Sequence, residues 1–250
     1  MIVHVFRTES AAARAAASAV ARQIAHRPQS VIGLPAGRTA AAIYEQLVEL
    51  YAGGEVNFAK ARTVSLDEFA ALDPRDPRSF RTFLSQHLLN RVALPKRRAR
   101  FLNGHASDLE RECRRYERVI RRLGGIDLQL LGLGTNGHIG FNEPSAALHA
   151  RTHCAHLTPA TRRANAGAFG GRVRDVPSRA LTMGMATICD ARSIVLVALG
   201  RAKARAARAA LEGPIATSCP ASLLQLHPRV EVILDAAAAA LLTRRQRRAQ

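Results

Sequence analysis

Short apolar runs alternate with longer amphipathic stretches along most of the chain. Residues 2–6 (IVHVF), 30–34, 63–66, 126–133 (IDLQLLGL), 193–199 (SIVLVAL) and 230–234 are Val/Ile/Leu-rich runs of strand length, and 152–157 is a weaker one. Between them apolar positions recur at helical spacing, which predicts helices over 10–26, 39–51, 80–90, 109–123, 160–168, 181–190 and 203–211. Strands separated by helices of about ten or more residues imply a mostly parallel sheet, because a crossover helix has to return the chain before the next parallel strand can start. The predicted fold class is therefore α/β, a doubly wound, Rossmann-like sheet with helices on both faces. No stretch has linker composition and no repeat is visible. Residues 1–243 read as a single α/β domain, and 244–250 as a basic, frayed C-terminal tail.

The unusual residues are not scattered over this pattern. LPAGRT follows the second strand, LDE the third, GTNGHIGFNEP the fourth and GRAK the strand ending at Leu199. Ligands of open parallel sheets bind outside the carboxyl ends of the strands. Four polar or glycine-containing loops on that one rim predict a site there.

Composition narrows the kind of site. Of the 250 residues 48% are hydrophobic but only 4% aromatic, with no Trp, so a core of Ala, Leu, Val and Ile is expected. The net charge of +18, from 37 Lys and Arg against 19 Asp and Glu, suggests an anionic partner, either nucleic acid or a phosphorylated small molecule. The arginines are dispersed over Ala-rich helices, with one dense run, TRRQRRAQ, and no basic stripe interleaved with aromatics. That favours a solvated basic surface over a nucleic-acid partner. Four separated cysteines without a C-x-x-C pair argue against a disulfide framework and a zinc site, and fit a reducing, cytoplasmic location. No apolar run approaches the length that spans a bilayer, so no membrane partner is expected.

The stretch LLGLGTNGHIGFNEP contains a G-x-G-x-x-G at Gly132, Gly134 and Gly137. A dinucleotide fingerprint needs these glycines to open a helix, with a carboxylate about twenty residues on. Here Gly140 and Pro144 break any early helix and the positions around Cys154 carry no carboxylate, so no nicotinamide cofactor is expected. His138, with Asn136 before it and Glu143 after it, is either a structural histidine or a general acid/base whose tautomer a carboxylate helps to hold. Asp67, at the end of an apolar strand, is either a desolvated base or an N-cap or loop ion pair, and Glu68 beside it reads as structural support. Gly37, Arg38 and Thr39 open a helix, where backbone N–H groups and a guanidinium suit a phosphate, unless this is an ordinary strand-to-helix turn. Lys203 is a second candidate cation. No metal ligands are spaced for a metal site.

GHIGFNEP, taken with SLDEF, GLPAGRT, LTMGMATICDA and LGRAKARAARAALEG, resembles the glucosamine-6-phosphate deaminase (glucosamine-6-phosphate isomerase) family, in order and spacing from about residue 2 to 235. The related 6-phosphogluconolactonases share a Gly-x-Gly-x-x-Gly-His loop but not the FNEP continuation. The resemblance implies a modified doubly wound fold, and conversion of glucosamine 6-phosphate into fructose 6-phosphate and ammonia without a cofactor. It implies that Asp67 moves a proton between C2 and C1 of the opened sugar, that His138 opens the ring, and that Glu143 and Asn136 orient and tune the histidine. Alternative readings are an isomerase or lactonase for a different sugar phosphate, or a non-catalytic sugar-phosphate sensor.

Two departures stand out. The family's phosphate loop usually reads Gly-Leu-Pro/Ala-Thr-Gly-Gly/Ser-Thr-Pro, whereas here Ala36, Arg38 and Ala40 replace the hydroxyl residue, the small residue and the proline. A phosphate-binding arginine common in the family falls at Gly167. Arg38 is expected to replace it from the other side of the anion. The region after FNEP contains Arg151 but otherwise lacks the basic residues of allosteric members, so no activation by N-acetylglucosamine 6-phosphate is expected. The fold serves both a monomer and a homo-oligomer.

Overall fold

The computed structural model describes residues 1–243; the basic tail expected over 244–250 lies outside the described residues. The chain runs β1 (Ile2–Phe6), α1 (Glu9–His26), β2 (Val31–Leu34), α2 (Arg38–Ala52), β3 (Arg62–Ser65), β4 (Asp67–Phe69), α3 (Phe80–Leu84), β5 (Ala99–Arg100), α4 (Leu109–Arg122), β6 (Leu128–Gly132), β7 (His153–His156), α5 (Pro159–Asn165), β8 (Arg179–Thr182), α6 (Met185–Cys189), β9 (Ile194–Ala198), α7 (Ala204–Glu212) and β10 (Val230–Asp235). Seven strands form one sheet in the order β1-β10-β9-β6-β2-β3-β5. Every pairing in it is parallel.

The central strands are largely apolar, β9 wholly so, because each face meets helices. Along β9, Ile194, Leu196 and Ala198 join a core with Tyr116 and Ile120 of α4, Ile188 of α6 and Ala207 of α7. The intervening Val195 and Val197 join the opposite core, with the Ala12–Ala16 face of α1 and with Ile43 and Leu47 of α2. This period-two split is what a two-sided sheet demands of a strand. Helix starts follow side-chain capping: Thr8 accepts from the Ala11 N–H at 3.1 Å, and Asp108 from the Arg111 N–H at 2.8 Å. No helix among the described residues is long and apolar enough to cross a membrane.

Three features differ from the sequence expectation. The segment 181–190, expected to be one helix, begins as strand β8 and becomes helical only at Met185, because the backbone of Arg179–Thr182 is taken up between β4 and β7. These three strands form a separate antiparallel sheet, β4-β8-β7, so β7 does not extend the parallel one. The core is also not wholly aliphatic. Phe69, Phe141 and Phe169 are buried in a third cluster with Phe80 packed against it, its rings 4.8 Å from Phe69 and 5.9 Å from Phe141. This aromatic cluster fastens the small sheet to the carboxyl rim of the large one.

Candidate active site

Strands β9, β6, β2 and β3 are adjacent in the sheet, so the four loops singled out in the sequence are neighbours on one rim. From β2 the chain builds outward through β3 and β5, and β6 starts the other half on the far side of β2. The switch point thus lies between β2 and β6, where a crevice opens at the strand ends. A cavity of about 330 Å³ occupies that place. Gly37, Arg38, Thr39, Asp67, His138 and Lys203 all line it. Asn136 and Glu143 do not, and act on it through His138.

Asp67 enters the cavity as the first residue of β4, opposite Thr182 of β8. It is 7% exposed, and its Oδ1 is buried without a hydrogen-bond partner among the described residues. Burial pushes its carboxyl well above the usual carboxylate range, and the neighbouring Glu68 adds to the shift. A buried, unpaired carboxylate oxygen is destabilising and rare in native proteins. Asp67 lines the ligand-sized cavity, so its displaced carboxyl stands where a bound molecule can exchange a proton with it.

Glu68 points away from the cavity. Its carboxylate accepts from the N–H groups of Phe69 and Phe80 on one oxygen and Arg81 on the other, each at 2.9 Å, tying β4 to the start of α3. Burial lifts it to about 7 in spite of those three donors. Its structural reading from sequence agrees with this geometry.

The loop after β6 supplies the histidine. Its glycines open no helix; a Cβ on Gly134 would stand 2.3 Å from the His138 ring, so glycine there makes room for the imidazole. Nδ1 of His138 donates to Oδ1 of Asn136 at 2.6 Å, and Nδ2 of Asn136 donates to Oε2 of Glu143 at 3.0 Å. The carboxylate can only accept, which fixes the amide orientation, and the amide oxygen then fixes the imidazole tautomer. Nε2 is left without a protein partner among the described residues. Burial lowers the pKa of His138, with Glu143 pulling it up and Lys203 pushing it down.

Gly140 brings this loop against β4. Its φ is +58°, and a Cβ there would lie 2.7 Å from Oγ1 of Thr182 and 3.5 Å from Oδ2 of Asp67. Asn142 secures the loop from below, donating to the carbonyls of Ile139 at 2.9 Å and Met183 at 2.8 Å.

Arg38, which opens α2, and Lys203, which ends the turn after β9, line the same cavity. Among the described residues neither pairs with a carboxylate. Burial lowers the Lys203 ammonium pKa, and the like charge of Arg38 lowers it further, so both cations act on the same region. Gly167 is exposed and absent from the lining, with open space where a Cβ would be. Arg151 pairs with Asp190 at 2.5 Å, away from this cavity.

Sequence reasoning missed Thr161 and Asn165 of α5, which line the cavity, and Thr182 beneath it. Nothing local marks them, since each matters only through where its element packs. No group of three or more His, Cys, Asp or Glu able to hold a metal ion occurs among the described residues.

A family model described as glucosamine-6-phosphate isomerases/6-phosphogluconolactonase matches residues 7–233. The chain belongs to this family. It is 45% identical over 233 residues to the glucosamine-6-phosphate deaminase of Geobacillus sp. (strain WCH70), covering 93% of this chain and 92% of that one. It is 47% identical over 237 residues to the glucosamine-6-phosphate deaminase of Rhodopirellula baltica, covering 95% and 94%. The solved structure of a monomeric glucosamine-6-phosphate deaminase matches with a TM-score of 0.93 at 41% identity, covering 96% of this chain and all of that one. A 6-phosphogluconolactonase from Trypanosoma cruzi matches with a TM-score of 0.77 at 19% identity, covering 97% of each chain, a likeness of fold alone. The family's deaminase members are thus its near relatives, and its lactonases are distant.

Proposed function

We propose that the chain is a glucosamine-6-phosphate deaminase, converting glucosamine 6-phosphate into fructose 6-phosphate and ammonia, and that residues 1–243 form its catalytic unit. The observation that carries this reading is one cavity lined by the buried carboxyl of Asp67, by His138, whose Nε2 has no partner among the described residues, and by Arg38 and Lys203, neither paired with a carboxylate among the described residues. The substrate's phosphate binds Arg38, Lys203 and the N–H groups that open α2 at Gly37–Thr39. The guanidinium of Arg38 takes the place of the arginine that the family pattern has at Gly167.

With Nδ1–H committed to Asn136, neutral His138 takes the proton of the anomeric hydroxyl at Nε2 and delivers it to the ring oxygen, opening the pyranose. Asp67 then removes the proton from C2 and returns it to C1. In the same isomerisation the C1 oxygen gains a proton and the C2 amine loses one, giving a C1 hydroxyl and a C2 imine; water then adds to C2 and expels ammonia, leaving the ketone. Both steps are proton transfers by groups whose pKa values burial has displaced, which is the requirement for general acid–base catalysis near neutral pH. The protein acts as a monomer or a homo-oligomer, the monomeric deaminase being the supporting relative for the first, and the reaction suits a cytoplasmic enzyme of amino-sugar breakdown.

The test is to give the purified protein glucosamine 6-phosphate and 6-phosphogluconolactone in separate assays. Ammonia from the first and no acceleration of hydrolysis of the second is the expected result. The reverse would move the assignment to the lactonase branch.

A further inference from the structure

Helix α5 lines the cavity through Thr161, Ala164 and Asn165, and its first turn reaches the histidine loop. The hydroxyl of Thr161 donates to Oε1 of Glu143, whose other oxygen accepts from Asn136, which in turn accepts from His138. Thr161 is itself fixed: its Oγ1 accepts from the hydroxyl of Thr158 at 3.2 Å, and its N–H donates to the same Thr158 oxygen at 3.2 Å. Thr158 caps α5, so the hydrogen-bonded chain runs from a helix start to the ring nitrogen opposite the reacting one. Thr161 is 6% exposed, and its single hydroxyl proton is spent on the carboxylate.

We propose that Thr161 is a positioning residue for the acid–base histidine, holding the Glu143 carboxylate in register with Asn136 and tempering the charge it exerts on His138. The charged groups that act on the imidazole are Glu143, which favours its protonated form, and Lys203, which opposes it. A donor on the far oxygen of Glu143 disperses that negative charge. Without it, the carboxylate pulls harder on the imidazole and holds the Asn136 amide less firmly. The proposal rests on the reading of His138 as the ring-opening group.

The test uses Thr161→Val, which keeps the side-chain shape and removes the hydroxyl, with Thr161→Ala as a second deletion and Thr161→Ser as the conservative variant. The readouts are kcat and KM for glucosamine 6-phosphate, and the titration midpoint of His138 from its imidazole ¹⁵N resonances, assigned with His138→Gln. Thr161→Val is expected to lower kcat by roughly ten-fold with KM changed less than about two-fold, to raise the His138 midpoint by about half a pH unit, and Thr161→Ser to restore both. A midpoint that stays in place or falls, or a change confined to KM, overturns the proposal. A His138→Gln enzyme with wild-type kcat would instead overturn the reading of His138, while leaving the titration result to stand by itself.

Discussion

Asn136 holds His138 in one tautomer: its Oδ1 lies 2.6 Å from Nδ1 of the ring and is turned there because its amide nitrogen donates to Glu143. Replacing Asn136 by Leu removes that acceptor, so the proton redistributes between the ring nitrogens and Nε2 no longer keeps its lone pair for the substrate. The expected outcome is a kcat lower by roughly 10- to 100-fold, a part of the roughly 100- to 10,000-fold that a positioned acid–base group supplies. KM should change little, because Asn136 does not line the cavity. Steady-state kinetics with glucosamine 6-phosphate check this.

Asp67 and Glu68 both hold their protons more tightly in the folded chain, where burial raises Asp67 well above its ordinary value and Glu68 to about 7. Unfolded carboxyls titrate near about 4. The folded state therefore binds more protons over the intervening range, and stability falls as pH rises through the folded values. Their favourable contribution is complete below about pH 4 and, for Glu68, is lost through about 7. Asp67→Asn imitates the protonated form and escapes the Asp67 share of this loss. It should raise Tm at pH 8 by roughly 2–4 °C, the shift that about 1 kcal/mol produces in a chain of this length, with a smaller gain at pH 5. Thermal unfolding at the two pH values measures both, and an Asp67→Asn protein less stable than wild type at pH 8 would contradict the desolvation account.

Arg38 and Lys203 pair with no carboxylate among the described residues, and both line the cavity that also holds Asp67 and His138. If their task is to hold phosphate, Arg38→Ala should raise KM for glucosamine 6-phosphate by roughly ten-fold or more, as the loss of a charge-assisted contact does, with kcat nearly unchanged. Turnover of unphosphorylated glucosamine should not respond. An unmoved KM would mean that Arg38 does not stand in for the arginine absent at Gly167.

Most of this arrangement was legible in the sequence. The central strands of the large sheet, β9 and β6 above all, are buried on both faces and so are written as mostly apolar runs, and their order along the chain placed the four polar loops on one rim. The small sheet was legible only in β7, the weak run at 152–157, and not in its separation from the parallel sheet. Its strands are three or four residues long, and β8 leads directly into a helix, so Leu181 to Asp190 reads as one helical stretch until the pairing of β4 with β8 is seen. The candidate residues Asp67, His138, Arg38 and Lys203 carried chemical signals of their own type, and the cavity gathers them. Whether His138 was structural or catalytic could not be read from its loop, because the answer lies in the partner of Nδ1 and the freedom of Nε2. Thr161 carried no signal at all: its contact with Glu143 joins residues 18 apart through the placement of α5.

The central claim is that Asp67 moves a proton between two carbons of an opened amino-sugar phosphate. It is tested most directly by measuring ammonia and fructose 6-phosphate released from glucosamine 6-phosphate by wild type and by Asp67→Asn. The account predicts equal amounts of the two products from wild type, and a rate at least about 100-fold lower in Asp67→Asn. No turnover by wild type, or undiminished turnover by Asp67→Asn, would contradict it.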